Sequence, residues 1–327
     1  MLVALMLRWL VVGIGDITRK RVIPAILAEP RSTLYGLFTR DSAKGASYPE
    51  AKIFTNFEAA LADPEIDAVY VASPVSMHAL QTIAALRAGK HVLCEKPAAF
   101  DLAQAEAMAG AAVETGKLLG IAYYRRLFPK LLKLRELLAA GELGQPVYAE
   151  ANCHGWQSPE DMAAWGRGWL CDAALAGAGP LYDIASHRID AMNFLFGEPL
   201  EAKGMRSNAV HAMGVEDSAT VMIRYGGGVH AVVDVRWNSR TNRDQFRVVC
   251  TGGEFVLDAL SGDLLRVIPS VGAARELHLP THANVHYPIV HDFVNGVLDG
   301  TALNRVKLAC DINAAIWTDR LTAQAMT

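Results

Sequence analysis

The 327 residues carry 52% hydrophobic and 20% charged side chains, enough apolar material for two domains of about 150 residues each, which excludes a disordered, collagen-like or disulfide-stapled chain. A formal net charge of -3 leaves no chain-wide cationic field to displace the counterions of a phosphate backbone, so no nucleic acid is expected as a partner. The five cysteines, Cys94, Cys153, Cys171, Cys250 and Cys310, are odd in number, scattered and never paired as CxxC; they read as reduced packing residues of a cytoplasmic protein, with no disulfide framework and no metal site.

The run from Met1 to Val12 is apolar, but it lacks a basic leader, Arg8 interrupts it and no small-residue cleavage site follows. The expectation is a domain that starts at Arg8 after a loosely held lead. No later stretch reaches the ~18 uninterrupted apolar residues of a membrane span, so no membrane contact is expected. Strands are predicted over 9–12, 34–38, 68–72, 91–94 and 118–122, and helical spacing over 17–28, 76–88 and 102–115. Two of these helices end beside Gly89 and Gly116, where a left-handed residue closes the last turn. Short strands followed by helices imply a doubly wound parallel sheet.

After Pro129 a helix is predicted to residue 139, then a turn-rich segment over 141–146. Strands over 219–225 and 229–237 flank Gly226, Gly227 and Gly228 as a hairpin, and a second hairpin over 246–257 turns at Gly252 and Gly253. The half-polar alternation in 229–237 suits a sheet with one face on a core. The fold class expected is therefore an α/β doubly wound domain over 1–122, followed over 123–327 by an α+β domain with an open, predominantly antiparallel sheet.

Gly13-Ile14-Gly15-Asp16-Ile17-Thr18 lies between the first strand and the first helix, where a dinucleotide pyrophosphate rests on helix N-terminal amides. Gly13 makes the turn and Gly15 admits the phosphate; Thr18 stands where a smaller residue is usual, so the fingerprint is imperfect. The second strand ends in Phe38-Thr39-Arg40-Asp41. A carboxylate there would repel a 2′-phosphate, whereas Arg40 can pair with it and Thr39 can donate to it, which favours NADP over NAD. Asp41 serving a ribose one residue later, and Arg40 as a solvated surface residue, remain as alternatives. Ser73 and Pro74 close the next strand at the same edge, with His78 in the following helix as either a cofactor contact or a packing residue. Glu95, Lys96 and Pro97 close the one after. A lysine held there can stabilise the developing charge on an oxygen that gains or loses carbonyl character, although a lysine beside a proline is by itself an ordinary surface loop.

In the second half, Asp183, His187 and Asp190 recur at helical spacing behind Pro180, with Gly197 as the expected end. A histidine with a carboxylate one turn away is an oriented acid/base, which hydride chemistry on an alcohol requires because the O–H proton must also leave. A capped helix with a surface pair is the alternative.

Together, Gly-x-Gly at Gly13, Ser73-Pro74 with His78, the Ala88-to-Pro97 segment ending in Glu-Lys-Pro, and Gly-x-Gly-x-x-x-Asp-x-x-x-His-x-x-Asp from Gly177 resemble the glucose-fructose oxidoreductase, inositol dehydrogenase and rhizopine-catabolism (Gfo/Idh/MocA) family. The resemblance covers nearly the whole chain. It implies a Rossmann domain followed by an open-sheet domain that makes homodimers or homotetramers, and a cytoplasmic oxidoreductase using NADP or NAD. It makes Lys96, Asp183 and His187 the catalytic set: His187 the general acid/base, Lys96 the polariser of the same oxygen, Asp183 a substrate ligand that orients the histidine. The segment from Tyr123 to Arg126 is similar to the family's Tyr-x-Arg element, with Arg126 taken as the matching arginine and a cofactor contact. Ala178 and Ala185 replace frequent glycines, and Leu170 follows Trp169 where members often carry arginine, which weakens the implication of a common sugar specificity. Trp156, Trp165 and Trp169 form either an aromatic wall for a sugar or cyclic diol, or core packing.

The leading expectation is hydride transfer between the nicotinamide cofactor and a secondary alcohol or ketone of a sugar, polyol or cyclic diol. A glycoside hydrolase that retains NAD, with cofactor that copurifies and is not consumed, and a non-catalytic nucleotide sensor, which binds without turnover, are the alternatives.

Overall fold

The apolar runs of the first half form strands buried on both faces. β1 (Leu7–Val12), α1 (Ile23–Ala28), β2 (Ser32–Phe38), β3 (Lys52–Phe54), α2 (Phe57–Leu61), β4 (Ala68–Val71), α3 (Val75–Arg87), β5 (His91–Cys94), α4 (Leu102–Thr115) and β6 (Leu119–Ile121) alternate along the chain. The structure, a computed structural model, describes residues 6–300 and Arg320; Cys310 and residues 1–5 of the expected lead lie outside the described residues. The six strands are parallel in the order β3-β2-β1-β4-β5-β6. The order reverses between β1 and β4, so the loops after these two strands diverge and leave a crevice at the carboxyl edge. All four residues of β4 are buried, as a sheet covered on both faces requires. Helix ends follow local chemistry: the Asp101 side chain accepts the Gln104 amide at 2.8 Å to open α4, and Gly116, at φ +65°, closes it.

The second half contains α5 (Pro129–Ala139), β7 (Pro146–Trp156), α6 (Pro159–Ala164), α7 (Ala173–Ala176), α8 (Ser186–Phe196) and strands β8 (Pro199–Ser207), β9 (Ser218–Tyr225), β10 (His230–Arg236), β11 (Asn238–Cys250), β12 (Gly253–Leu257), β13 (Leu264–Pro269) and β14 (Arg275–His278). They form one sheet in the order β14-β13-β12-β11-β7-β10-β9-β8, antiparallel throughout except for the β7–β10 pair. Both expected hairpins are present, β9–β10 and β11–β12. Leu131 and Leu134 of α5 and Ile189 and Met192 of α8 share a core with Ala149, Ala151, Val221, Val233 and Phe246 from alternate strand positions.

The chain divides into a unit through Tyr124, joined by the segment that starts at His282, and a unit from Arg125 to Thr281. Residues 282–300 thus group with the first unit, whereas the expected division placed everything after residue 122 in the second. α9 (Tyr287–Leu298) buries Ile289, Val290, Phe293 and Val294, and the Phe293 ring lies 5.3 Å from that of Trp9 on β1. Ion pairs from His291 to Glu29 (2.5 Å) and from Asp299 to Arg31 (2.8 Å) fix the same helix to the connection between α1 and β2. Among the described residues no helix is long and apolar enough to cross a membrane.

Candidate active site

At the end of β1 the chain turns at Gly13, whose φ of +90° is a conformation that L side chains avoid. Its amide donates to the Phe38 carbonyl at the end of β2 (3.1 Å), and a Cβ built on it would lie 2.8 Å from the Ala72 carbonyl oxygen beyond β4. Gly15 differs: a Cβ there would meet nothing within 4 Å, so its surface faces open space of the kind a phosphate uses. Thr18 is buried and its hydroxyl donates to the Gly13 carbonyl at 2.8 Å. The departure from a smaller residue thus ties the helix to the glycine turn. The helix opens with a π-type turn, Thr18–Val22, before α1; Asp16 and Ile17 precede it, exposed, with Asp16 paired to Lys20 at 2.7 Å.

Thr39 follows β2 and is buried; its hydroxyl donates to the Asp41 carbonyl (3.1 Å) and accepts the Asp41 amide (3.2 Å). Its proton is committed to its own turn. The Asp41 carboxylate accepts the Ala43 amide at 3.1 Å. Arg40 between them is exposed and makes no ion pair or side-chain hydrogen bond among the described residues, so at the end of β2 it has charge to offer.

Ser73 donates its hydroxyl to Gln81 Oε1 at 2.7 Å, and Pro74 stands at the start of α3. His78 is 1% exposed; its Nδ1 lies 2.9 Å from the Pro97 carbonyl and its Nε2 2.9 Å from the Ser73 carbonyl. With both ring nitrogens on backbone oxygens, His78 is a strut between the loops after β4 and β5, and the packing alternative describes it. Glu95 is buried behind Lys96: its amide donates to the Val71 carbonyl at 2.9 Å, and its Oε2 accepts the Lys96 amide at 3.3 Å. Gly13, Gly15, Arg40, Ser73 and Lys96 thus stand in loops at the carboxyl edge of the one sheet, with Thr18 in the first turn of the helix that follows the glycine loop.

In the second unit, Pro180 opens another π-type turn, Leu181–Ala185, that runs into α8. The Glu216 carboxylate accepts the amides of Gly179 (2.9 Å) and Leu181 (3.1 Å), satisfying donors that a helix start leaves open; burial pushes its carboxyl up. Asp183 lies in the π-type turn and accepts Arg167 at 2.8 Å; His187, on the first turn of α8, is 4% exposed. Asp190 is fully buried and binds Arg126 (Nε to carboxylate, 2.7 Å), itself 1% exposed. Asp190 is thus buried where Asp183 is partly exposed, and Arg126, expected as a cofactor contact, is found as an interior ion-pair partner. Burial pushes the Asp190 carboxyl up to about 6 against the pull of that guanidinium.

Residues 7–123 match a family profile described as an oxidoreductase family with an NAD-binding Rossmann fold, and residues 131–256 match the GFO/IDH/MocA C-terminal domain. A 1,5-anhydro-D-fructose reductase of Ensifer adhaerens is 33% identical over 255 residues, 76% of this chain and 75% of its own. The chain belongs to the Gfo/Idh/MocA family of oxidoreductases. Solved structures share the fold across both units: a levoglucosan dehydrogenase in complex with NADH (TM-score 0.83, 22% identity, 98% of this chain and 97% of that one), and a 3-ketoreductase from Actinomadura kijaniata in complex with NADP (TM-score 0.82, 22% identity, 98% and 97%).

Within this family fold, Arg167 went unread in the sequence. Leu170, expected as the position lacking an arginine, is buried with Met162, Val215 and Trp237, while Arg167 supplies a guanidinium to Asp183 from the same loop. The signal was a single cation between Trp165 and Trp169, which are 53% and 39% exposed and so are not core. Trp156 is half-buried, with the Arg240 guanidinium 3.9 Å from its ring centroid. Glu216 carried no signal, because its role depends on two amides more than thirty positions away in sequence. Among the described residues no group of three or more His, Cys, Asp or Glu side chains is arranged to hold a metal ion.

Proposed function

We propose that this protein is an NADP-preferring dehydrogenase or reductase that acts on a secondary alcohol or ketone of a sugar, polyol or cyclic diol. The observation that carries the reading is the Gly13 turn, closed to any side chain by the Ala72 carbonyl, beside a Gly15 surface with nothing within 4 Å. That pair of features fits a pyrophosphate, and Arg40, exposed and without an ion-pair partner among the described residues, fits a 2′-phosphate. The bound nicotinamide supplies the hydride donor or acceptor. The Lys96 ammonium stabilises negative charge developing on the substrate oxygen. His187 takes or returns the hydroxyl proton, and Asp183, held by Arg167, binds the substrate and orients the imidazole. The exposed indoles of Trp165 and Trp169 on the loop of Arg167 offer faces for a hydroxylated ring, and the matched relative named for 1,5-anhydro-D-fructose supports a substrate of that kind.

The test combines binding and turnover. NADPH should bind the wild type at least about tenfold tighter than NADH, and Arg40→Ala should remove most of that difference, a loss of about 1–2 kcal/mol. On a panel of sugars, polyols and ketones, Lys96→Met and His187→Ala should each lower kcat by about 100-fold or more. A protein that binds neither cofactor, or variants that turn over like wild type, would overturn the reading.

A further inference from the structure

The loop that carries Lys96 is held from behind by a buried pair that the chemistry above does not use. Glu95 Oε1 accepts the Tyr70 hydroxyl at 2.8 Å and faces His286 Nε2 at 3.3 Å, while Oε2 accepts the Lys96 amide. One carboxylate therefore joins a β4 side chain, the Lys96 backbone and a histidine 191 positions further along the chain. His286 is 1% exposed, its amide donates to Asn284 Oδ1 (3.1 Å), and its ring centroid lies 4.4 Å from that of Tyr124. Asn284 also donates to the Arg21 carbonyl at 2.8 Å, which anchors the same loop to the helix of the glycine turn. His286 Nδ1 is buried and has no hydrogen-bond partner among the described residues. An apolar ring would fill this place without that penalty, so the imidazole is there for what Nε2 does.

We propose that His286 is a positioning residue for Lys96: through Nε2 it fixes the Glu95 carboxylate that holds the Lys96 backbone and lies behind the Lys96 charge. This rests on the reading of Lys96 as the polarising cation. Burial alone pushes the Glu95 carboxyl up, yet the bonds from His286 and Tyr70 and the charge of Lys96 bring it below the usual range. The anion is thus kept in place next to the cation by groups from β4 and from the segment before α9; Tyr124 is the further titratable group against the imidazole.

Two substitutions separate this role from space filling. The His286→Gln side chain can present a donor where Nε2 stands, whereas that of His286→Asn matches only the Nδ1 position. The first measurement needs no cofactor: competitive acetylation of the protein, with the rate at Lys96 read by mass spectrometry against its other lysines. In His286→Asn the Glu95 carboxylate loses the donor that fixes it, the loop it holds loosens, and the Lys96 amine should acetylate about three- to tenfold faster; His286→Gln should match wild type. Glu95→Gln, which removes the charge and keeps the shape, should accelerate Lys96 as the Asn variant does, and it decides the matter if that variant does not fold. In turnover, His286→Asn should lower kcat about tenfold or more with the cofactor KM unchanged, and His286→Gln should restore it. Equal behaviour of the Gln and Asn variants, or an unchanged Lys96 rate in both His286→Asn and Glu95→Gln, overturns the proposal. Absence of turnover in the wild type would overturn the functional reading instead and leave the acetylation result standing.

Discussion

A guanidinium with 1% of its side chain exposed and a carboxylate with none bind each other inside the second unit, and each is tolerable there because of the other. Removing both from water costs several kcal/mol per ion, which their attraction and hydrogen bonds offset. Arg126→Ala leaves Asp190 as an uncompensated buried acid, and the expected loss is about 3–5 kcal/mol, read as a lower midpoint in denaturant unfolding. The affinity of the folded variant for NADPH should be unchanged. A variant of full stability that binds cofactor poorly would return Arg126 to the role that its motif suggested. Motif spacing misleads here because it records which residue types occur together and not which way they face. The pairing of Arg126 with Asp190, 64 positions apart, decides that, and no sequence period announces it.

Elements long enough to show a period were legible: α4 and α5 occupy the predicted residues, and the five predicted parallel strands lie within two residues of their predicted bounds. β3 and α2 were missed because three and five residues are too few to display a pattern. α9 shows the other limit. Its apolar face announces burial, but only the structure shows that the partner is Trp9, more than two hundred residues earlier. A strand end also carries a pH dependence. His91, at the start of β5, accepts the Leu118 amide on Nδ1 at 3.0 Å, and burial and the nearby Lys117 hold its pKa down to about 4. The folded state therefore binds fewer protons than the unfolded one between about pH 6.5 and 4. The contribution of the neutral imidazole is present above that window and is lost as pH falls through it, on the order of 3 kcal/mol in all. Urea unfolding from pH 7 to 4 should show this slope in wild type and a flatter one in His91→Gln. Identical slopes would mean that other groups carry the acid sensitivity.

At the scale of the whole molecule, the eight-stranded sheet has α5 and α8 on one face and side chains of alternate register on the other. That second face is ordered within a single chain: Asp234 on β10 binds His154 of β7 at 2.6 Å and Arg236 at 2.8 Å. Two register positions from Asp234 on the same face stand Val232 and the 55% exposed Met222. A mixed face with its charges already paired suits an isologous contact, because a two-fold axis brings each residue near its own copy and punishes unpaired like charge. The chain is therefore expected to form at least a dimer through this face. Val232 lies on β10 between β7 and β9, so Val232→Arg puts an unpaired cation into this face in each copy. Light scattering across a concentration series should give at least twice the chain mass for wild type and the single-chain mass for the variant, with the sheet intact by circular dichroism. A wild type that stays at the single-chain mass rules out the contact, and a dimer that survives Val232→Arg moves it to another surface, since an interface centred on this sheet cannot accommodate the buried pair of charges.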